Sequence, residues 1–488
     1  MRTSLTHPLK IAEVQAKPAQ GRIGLTFCPG KHQPDAVSGG WRRDLELDLD
    51  AIRDWGAAAV ITLVEDHELQ ALKVSDLGQK VRERHMSWFH LPIADMAIPS
   101  SKFETMWAEA GEGLRARLRD GFNVLVHCKG GLGRSGTIAS RLLIELGMLP
   151  QEAVNAVRLS RPGAIETAEQ HEYVLALTEA PEASPARSAA AIKDRAIGAL
   201  LGLAVGDAIG TALEFTVRDS YRPLTDMVGG GPFQLMPGQW TDDTAMALAL
   251  ADSLAENDGL DEADLMRRFV GWHEHGDYSC TGICFDIGIA TRQALSRWKK
   301  TGNPHAGSTD PQTAGNGSLM RLAPVAIRYW RDRETLRDAA ARQSKTTHAA
   351  PEAVDACVAY AEVLADAIQG RPRSEALRSR SEPYAGAIGP IMAGSWRGKP
   401  RSEVRASGYV AHSLEASLWS VGRTGSFQEA VLLAANLGED ADTTAAITGQ
   451  LAGALYGAGG IPQRWLEKLV WGDRIRRSAE VLHKHSVS

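Results

Sequence analysis

The stretch from Val124 to Thr137 constrains the fold of this chain more than any other. It reads Val-Leu-Val-His-Cys-Lys-Gly-Gly-Leu-Gly-Arg-Ser-Gly-Thr: an apolar run that ends at a cysteine, a loop with three glycines, and then the helical spacing of apolar residues. This order predicts a buried strand, a tight loop and the start of a helix. The N–H groups of such a loop and the partial positive charge of a helix N-terminus favour a bound anion such as phosphate.

Two side chains in this stretch carry chemistry. Cys128 stands at the base of the loop, where the same electrostatic field favours the thiolate, which is the nucleophilic form. Arg134 follows six residues later and can bind two phosphate oxygens in a fork. The alternative is a buried structural cysteine beside a turn. Cysteine, glycine, arginine and serine at these spacings favour the catalytic interpretation.

These residues resemble the signature of cysteine-dependent protein tyrosine and dual-specificity phosphatases, and among them the kinase-associated dual-specificity enzymes. The resemblance implies an α/β domain with a central, mostly parallel sheet and no cofactor. It implies Cys128 as the nucleophile of a phosphocysteine mechanism, Arg134 as a phosphate ligand and Ser135 as the hydrogen-bond donor to the departing thiolate. The expected phosphate-binding residues of the loop are Lys129, Gly130, Gly131 and Gly133.

Cleavage of a phosphate ester by a thiolate needs an acid that protonates the leaving oxygen. In the family this acid is an Asp on a mobile loop before the cysteine strand, and Asp95 lies on a proline-bounded loop in that position. Asp66 is a weaker candidate, and a turn-forming Asp95 is the structural alternative. Gln170 is a looser match to the glutamine that orients the hydrolytic water. His127 is expected to act from below the loop on Cys128.

The rest of the first part alternates strands and helices, which predicts an α/β layer with a central parallel sheet. Predicted strands cover residues 22–28, 57–63 and 88–91, and predicted helices cover 45–55, 67–81 and 101–119. Two prolines and several small residues between 178 and 189 are typical of a linker. We therefore expect a phosphatase-like domain at 1–180, a linker at 181–191 and a second domain at 192–488.

Length and composition limit the remaining possibilities. A chain of 488 residues is too long for one core, and a net charge of −5 gives no sign of a nucleic-acid or membrane surface. Five scattered cysteines without a CxxC pair indicate a reducing compartment, and Cys28 is interpreted as structural. Residues 1–21 have no apolar core, so we expect no signal peptide there, and the longest apolar run, 196–206, has 11 residues. We expect a cytoplasmic protein with no membrane partner and no sequence-specific DNA binding.

The second part is rich in Ala, Leu and Gly and predicts an all-α bundle of about 300 residues. Helical spacing covers residues 243–255, 261–275, 286–300, 334–343, 351–369, 428–436 and 442–455. Cys280 and Cys284 lie four apart on an expected helix and are interpreted as packing residues rather than zinc ligands.

Two clusters of acids and threonines begin apolar helices of this part, at 241–244 and 439–444. An ordinary helix cap needs only one such residue. If the clusters face each other across a bundle, they supply the oxygen ligands that Mg²⁺ and Mn²⁺ prefer. We expect two such ions, held by Thr241, Asp242, Asp243, Asp440, Asp442 and Thr443. The alternative is a pair of acidic N-caps.

These clusters, with others at 206–215, 282–288 and 315–321, resemble the ADP-ribosylglycohydrolase family, which includes the dinitrogenase-reductase-activating enzymes. The resemblance covers about residues 192 to 475 and implies an all-α fold with two divalent metals. It implies Asp286 as acid or base. The implied substrate contacts are Glu214, Asn316, Gly317, Ser318 and His348.

Several details of this second site are open from the sequence. The glycines around Asn316 let backbone approach a pyrophosphate or ribose. The alternative for His348 is a surface histidine at a helix cap, with no role in the site. Asp207 could cap a helix or support the site, and it is a weaker candidate for a site residue than Glu214. Glu439 occupies a position where many relatives have glycine, and we expect little effect on metal binding.

The sequence thus predicts a bifunctional hydrolase. Its expected partners are an ADP-ribosylated protein, nucleic acid or small molecule, and a phosphorylated substrate. One hypothesis gives both sites a single phosphorylated ADP-ribosyl substrate; a second gives them independent protein-demodifying activities. Non-enzymatic alternatives are a phosphate-binding targeting module in the first part and a metal-dependent ADP-ribose binder in the second. The sequence does not distinguish Mg²⁺ from Mn²⁺.

Overall fold

A computed structural model describes residues 1–36 and 39–487. The chain divides into two compact units. The first comprises residues 1–183 together with 397–400 and 422–425, and the second comprises the remainder from Ser184 onward. Residues 177–187 form neither helix nor strand.

The first unit is built on a five-stranded sheet in the described part of the chain. Its strands, with those of a small hairpin (β3 and β4), are β1 Ala12–Val14, β2 Ile23–Phe27, β3 His32–Gln33, β4 Trp41–Arg42, β5 Ala57–Thr62, β6 Ser87–His90 and β7 Asn123–Cys128. The order is β1-β2-β7-β5-β6, with β2, β7, β5 and β6 parallel and β1 antiparallel at the edge. The predicted α/β fold with a mostly parallel sheet is confirmed.

The helices of the first unit cover both faces of this sheet's apolar strands. They are α1 Leu45–Asp54, α2 Asp66–Ala71, α3 Leu77–Glu83, α4 Ser101–Arg119, α5 Gly133–Glu145, α6 Pro150–Ser160 and α7 Ala168–Leu175. Because β7 lies between two parallel neighbours, its carboxyl end opens at the sheet edge where ligands bind in such folds. Cys128 is the last residue of this strand.

The single helix predicted at 67–81 is wrong, because α2 and α3 are separate. Lys73 adopts a left-handed conformation with φ of 59°, and the N–H of Val74 donates to the Leu69 carbonyl. This closes α2 and lets the buried Val74 enter the core before α3 begins. Hydrophobic spacing alone does not reveal such a reversal.

The second unit is helical, and its described residues contain no strand longer than an isolated bridge. Its helices are α8 Ala189–Gly210, α9 Asp242–Glu256, α10 Glu262–His275, α11 Ile289–Thr301, α12 Ala323–Tyr329, α13 Arg333–Thr347, α14 Pro351–Gln369, α15 Arg373–Ala376, α16 Ile388–Ala393, α17 Val410–Arg423, α18 Phe427–Ala435, α19 Ala441–Tyr456, α20 Gln463–Leu466 and α21 Gly472–Val487. The predicted all-α architecture is confirmed.

Helices α8 and α19 pack backbone against backbone at the centre of this unit. A Cβ added at any of four glycines of α8 would overlap a carbonyl oxygen of α19; these are Gly198, Gly202, Gly206 and Gly210. The close approach brings Asp207 on α8 beside Asp442 in the first turn of α19. Small residues along this seam therefore determine the geometry of the acidic site.

Helix α8 is longer than the 11-residue apolar run suggested. The segment Ala189–Leu213 is long and apolar enough to cross a membrane by length and composition, and an 18-residue window within it has a mean hydropathy of 1.8. In the structure 94% of that window is buried inside the protein. Its apolar surface is thus satisfied by packing, as expected for the core helix of a bundle.

Candidate active sites

The first candidate site is the loop between β7 and α5. Cys128 is buried, and its Sγ accepts a hydrogen bond from the N–H of Gly131 at 3.2 Å. Gly131 has φ of +73°, and a Cβ there would lie 2.5 Å from the carbonyl carbon of Thr26. Only glycine fits this position.

The carbonyl groups of the loop are held outward by two cations. Lys31 Nζ donates to the Lys129 carbonyl at 3.2 Å. Arg161 donates to the carbonyls of Gly131 at 3.1 Å and Gly130 at 3.3 Å. Because these carbonyls face outward, the N–H edges of the same peptides are left for an anion inside the loop.

Arg134 is buried and held in a fork at this loop. Its guanidinium donates to both carboxylate oxygens of Glu68, at 2.6 and 3.1 Å, and to the Ile93 carbonyl at 3.0 Å. Asp95 Oδ1 lies 2.9 Å from the same guanidinium, although 60% of the Asp95 side chain is exposed. Asp66 remains 86% exposed, and its one ion-pair contact within the described part of the chain is with His90 at 3.8 Å. The structure therefore brings Asp95, not Asp66, to the phosphate loop.

The remaining predicted residues surround Cys128 at different depths. The Ser135 hydroxyl is buried and has no hydrogen-bond partner within the described residues, which leaves it available to a thiolate. His127 lies below the loop with Nε2 2.8 Å from Thr62 Oγ1, and burial lowers the pKa of His127 to about 3. His127 is therefore neutral and does not add positive charge beneath Cys128.

Gln170 ties the acid loop to the segment that follows α6. Its Nε2 donates to the Ala97 carbonyl at 3.1 Å, and its Oε1 accepts from the Glu166 N–H at 3.0 Å. The side chain is fully buried. In this arrangement both ends of the amide are bound to backbone, so Gln170 supports the loop that carries Asp95.

Two residues at this site carried no sequence signal. Glu68 pairs with Arg134 across 66 positions, and Lys31 reaches the loop across 98. Burial lowers the pKa of Lys31 to about 8. Neither residue belongs to a local motif, so only the fold reveals them.

A cleft of about 340 Å³ adjoins the phosphate loop. Three of its wall residues, Glu68, Asp95 and Lys129, also border the loop. The other lining residues are His32, Gln33, Pro34, Asp35, Glu65, His67, Ala71 and Leu72. Among the described residues that line it there is no Phe, Tyr or Trp, and most are of polar or charged type.

The second candidate site is a cluster of carboxylates in the all-α unit. One oxygen each from Asp207, Asp243 and Asp442 lie within 4.8 Å of one another. Oxygens of Glu214, Asp440 and Asp442 form a second group of the same size. Asp442 belongs to both groups, so the two metal positions suggested by this arrangement share one ligand.

The carboxylate oxygens of this cluster outnumber the hydrogen-bond donors that face them. The single hydroxyl hydrogen of Thr241 faces oxygens of Asp207, Asp243 and Asp442 at 2.9, 3.2 and 3.2 Å. Thr443 Oγ1 lies 3.3 Å from Asp243 Oδ2, and Asp243 Oδ1 is buried without a partner among the described residues. Such crowding is unfavourable without a cation.

Burial first, and the neighbouring carboxylates second, raise the pKa of the acids in this cluster. The pKa rises to about 7 for Asp207 and Asp440 and to about 11 for Asp286. The pKa is also raised for Glu214, Asp242 and Asp243. No Lys or Arg lines the adjoining cavity among the residues described. A divalent cation fits this oxygen-rich, proton-poor set.

A cavity of about 590 Å³ opens over the carboxylates. The predicted residues that line it are Glu214, Asp242, Asp286, Asn316, Gly317, His348, Asp440, Asp442 and Thr443. Thr241 and Asp243 lie buried beneath it. Ser318 differs from expectation: its hydroxyl is fully buried, 2.8 Å from Ser344 Oγ, and faces the core instead of the cavity.

Three strained residues meet at this cavity. Phe215, Asp286 and Glu439 have φ of 58°, 57° and 61°, which is the left-handed region. The Phe215 N–H donates to the Glu439 carbonyl at 2.7 Å and so holds two of them together. Non-glycine residues in this region cluster at functional sites.

The helix predicted to begin at Asp286 is wrong, because α11 begins at Ile289 and Asp286 lies in the preceding loop. Cys280 and Cys284 also lie in loop segments instead of the expected helix. Cys280 Sγ donates to the Trp240 carbonyl at 3.1 Å. Gly276 and Gly282, both with positive φ, turn the chain here and prevent a helix.

His348 caps α13 and is buried, so the alternative of a surface histidine is wrong. A Cβ at Gly317 would lie 2.7 Å from His348 Cε1, and one at Gly315 would lie 3.3 Å from Nε2. These glycines thus make room for the imidazole ring. Asn316 between them donates to Asp440 Oδ2 at 2.6 Å.

Asp207 has a larger role than its sequence rank suggested. Its Oδ1 accepts from the N–H and hydroxyl of Thr241, both at 2.9 Å. Its Oδ2 accepts from the N–H of Thr244 at 3.0 Å and the hydroxyl at 2.6 Å. A carboxylate on α8 therefore caps α9 and holds Thr241 in the cluster.

Comparison with known proteins places both halves of the chain. Residues 188–487 match the family described as ADP-ribosylglycohydrolase. The chain belongs to the ADP-ribosylglycohydrolase family. Residues 33–174 match a domain described as "Swiss Army Knife protein, DSP-PTPase phosphatase domain". Both resemblances drawn from the sequence are confirmed.

Individual relatives agree with this division. The chain is 48% identical over 293 residues to ADP-ribosylarginine hydrolase Tri1 of Pseudomonas putida (strain GB-1). The alignment covers 59% of this chain and 78% of that protein. It is 31% identical over 155 residues to cyclin-dependent kinase inhibitor 3 of Rattus norvegicus, covering 31% of this chain and 69% of that protein. A solved "ADP-ribosylglycohydrolase-related protein complex" is 40% identical, covers 60% of this chain and 99% of that chain, and gives a TM-score of 0.54.

This ADP-ribosylglycohydrolase family member is therefore a hydrolase that also carries a phosphatase domain. The family is metal-dependent, and the acidic groups around Asp442 could hold metal.

Proposed function

We propose that the second unit hydrolyses ADP-ribosyl glycosidic bonds with two divalent ions, Mg²⁺ or Mn²⁺. The observation that carries this proposal is the proton-poor carboxylate cluster around Asp442, which has no cationic side chain in its cavity wall among the described residues. The proposed ligands are Thr241, Asp242, Asp243, Asp440, Asp442 and Thr443. Three of them, Asp243, Asp440 and Asp442, belong to the two oxygen groups. Asp207 and Glu214 complete those groups and also accept N–H groups at the starts of α9 and α19. When bound, such ions orient ribose hydroxyls and lower the pKa of a water.

The side chains around the ions have distinct proposed tasks. Asp286 lines the cavity from a strained loop and moves a proton between water and the leaving group as an oxocarbenium-like state forms. Glu214 Oε2 accepts the N–H groups of Ala441 at 2.9 Å and Asp442 at 3.3 Å, and so fixes the start of α19. Asn316 and His348, which also line the cavity, bind the substrate.

An ADP-ribosylated arginine side chain is the first substrate to test, because the 48% identical relative is named an ADP-ribosylarginine hydrolase. We expect ADP-ribose release in the presence of Mg²⁺ or Mn²⁺ and its loss with a chelator or with Asp242→Ala. A variant that still binds ADP-ribose without releasing it from the conjugate would separate binding from catalysis. Release unaffected by chelation would contradict the proposal.

For the first unit we propose a phosphocysteine mechanism. The Cys128 thiolate attacks phosphorus while Arg134 and the loop N–H groups bind the phosphoryl oxygens, and the bond to the leaving oxygen breaks as Asp95 donates its proton to that oxygen. Water then attacks the phosphocysteine, its proton passes to the Asp95 carboxylate, and phosphate departs. The Ser135 hydroxyl stabilises the thiolate that is released.

The cleft beside the loop supports a hydrophilic leaving group. An aryl ring in this cleft would contact polar side chains such as His32, Asp35 and His67. Because the ring offers them no hydrogen bonds in place of water, this contact is unfavourable. A sugar with several hydroxyl groups satisfies them. Together with the second unit, this supports one phosphorylated ADP-ribosyl compound or conjugate as the substrate of both sites.

A targeting module is the alternative for the first unit. An assay of phosphate release compares wild type with Cys128→Ser and Asp95→Ala on a generic aryl phosphate. We expect turnover that Cys128→Ser abolishes and Asp95→Ala reduces strongly. A module that only binds phosphate would show no turnover in any of the three proteins.

We also propose a cytoplasmic location. All five cysteines are free thiols in the structure, which supports a reducing compartment.

A further inference from the structure

Arg321 is a buried cation with no carboxylate partner among the described residues. Its Nε donates to Gln343 Oε1 at 3.0 Å and its Nη1 to the Gly317 carbonyl at 3.1 Å. Its Nη2 reaches the Gln343 carbonyl at 2.9 Å, Thr346 Oγ1 at 3.2 Å and Thr347 Oγ1 at 2.9 Å. Burial lowers the pKa of Arg321 to about 9, so it is still charged at neutral pH. A buried charge without a counter-ion is costly, and the surrounding contacts indicate what it does.

The proton inventory around Arg321 fixes the direction of each hydrogen bond. A guanidinium only donates, so Thr347 Oγ1 accepts from Arg321. The Thr347 hydroxyl hydrogen then has one acceptor within reach among the described residues, His348 Nδ1 at 2.9 Å. The two hydrogens of Nη2 go to the nearer acceptors, the Gln343 carbonyl and Thr347 Oγ1; Thr346 Oγ1 is a more distant contact of the same nitrogen at 3.2 Å and donates to the Gln343 carbonyl at 2.7 Å. The network thus assigns Nδ1 of His348 as an acceptor.

An imidazole that accepts at Nδ1 carries its hydrogen on Nε2 when neutral. Burial, and then the charge of Arg321, lower the pKa of His348 to about 3, so the neutral ring is present at physiological pH. The ring lines the cavity that also contains the carboxylates. The proposed ligand would bring ribose and phosphate oxygens into this cavity. These oxygens accept hydrogen bonds and meet acidic side chains elsewhere in the wall.

We propose that Arg321 is a positioning residue that acts through Thr347 to hold His348 as the Nε2–H tautomer. In this form His348 is a hydrogen-bond donor to an oxygen of the bound ADP-ribosyl group and not a base. The identity of that ligand rests on the proposed function of the cavity; the tautomer itself does not.

The test uses the full chain with ¹⁵N-labelled histidine and three proteins: wild type, Thr347→Val and the matched control Thr346→Val. Both substitutions remove a hydroxyl that Arg321 contacts, but only Thr347 touches His348. NMR of the ring nitrogens is expected to show the Nε2–H tautomer for wild type and Thr346→Val, with the Nδ1–H form gaining population in Thr347→Val.

Steady-state kinetics on an ADP-ribosylated arginine substrate gives the second measurement. Loss of one oriented hydrogen bond to the ligand is expected to raise KM about tenfold for Thr347→Val, with kcat changed much less. Thr346→Val should stay close to wild type. A purely structural role would affect both variants alike.

A wild-type ring protonated on Nδ1 would overturn the proposal, and so would equal effects of the two substitutions. The wild-type spectrum decides the tautomer even if Thr347→Val does not fold. The wild-type spectrum also reveals the tautomer of His348 if no ADP-ribose release is detected. Failure of this inference and failure of the proposed function are therefore distinguishable.

Discussion

At the scale of single residues, Glu439 shows how the acidic site stores strain. Its φ of 61° is unfavourable for a residue with a Cβ, and among the described residues its side chain has a single ion-pair contact, 3.7 Å from Arg218. We expect Glu439→Gly to raise the free energy of unfolding by about 1 kcal/mol, because glycine adopts this conformation without strain. Urea unfolding of Glu439→Gly and Glu439→Ala measures this. Alanine keeps the strain, so an equal gain for both variants would contradict the explanation.

Glu68 is the residue on which the orientation of Arg134 depends. Glu68→Gln keeps the shape but removes the charge that binds both guanidinium nitrogens. We expect kcat/KM for phosphate release to fall about tenfold or more, because the fork is no longer held in place. Asp66→Asn is the matched control on the same helix, since its exposed carboxylate does not contact Arg134. Comparable losses in both variants would argue for a general charge effect.

His127 gives the first unit a defined response to pH. Its folded-state pKa of about 3 lies below the usual value of 6.5, so below pH 6.5 the unfolded chain binds a proton that the folded chain does not. Stability from this residue is therefore complete above pH 6.5 and is lost as the pH falls towards 3, by at most about 1.4 kcal/mol per pH unit. Unfolding of wild type and His127→Gln at pH 7 and pH 5 tests this; the variant should lose less stability. The exposed His67→Gln should behave as wild type.

At the scale of elements, the seam between α8 and α19 supports the acidic site. A Cβ at Gly202 would overlap the carbonyl oxygen of Gly449, so the helices must move apart. We expect Gly202→Ala to lower the free energy of unfolding by about 2–3 kcal/mol and to weaken metal binding, because Asp207 and Asp442 separate. Gly389→Ala on α16 is the control, since its nearest neighbour is at an ordinary 3.4 Å. Urea unfolding measures the stability of both variants. Equal free energies of unfolding for Gly202→Ala and Gly389→Ala would contradict a seam held by backbone contact.

Elements and sites differed in how far the sequence predicted them. Cys128 to Arg134, and the acids beside Thr241 and Thr443, sit in contiguous motifs whose spacing encodes the local geometry. Glu68 and Lys31 act through contacts far along the chain, and no local pattern marks them. Arg321 lies in the 315–321 cluster, but its contacts with Gln343 and Thr347 do not follow from that pattern. The left-handed Lys73 and the inward Ser318 depend on the packing around them, which periodicity does not report.

At the scale of the whole molecule, two different hydrolytic sites occur on one chain. One is built from a glycine-rich loop around Cys128, and the other from carboxylates that could hold metal ions. They share no residue and respond to different reagents: a chelator should affect only the second. The proposed single substrate, with both a phosphate and an ADP-ribosyl bond, would explain this combination.

The most direct test of that explanation is product analysis by mass spectrometry on a phosphorylated ADP-ribosyl-arginine compound with Mg²⁺. We predict that wild type releases both phosphate and the ADP-ribosyl group. Cys128→Ser should leave the phosphate in place but still cleave the glycosidic bond, and Asp242→Ala should do the reverse. Phosphate release from phosphopeptides alone, with none from this compound, would contradict the account.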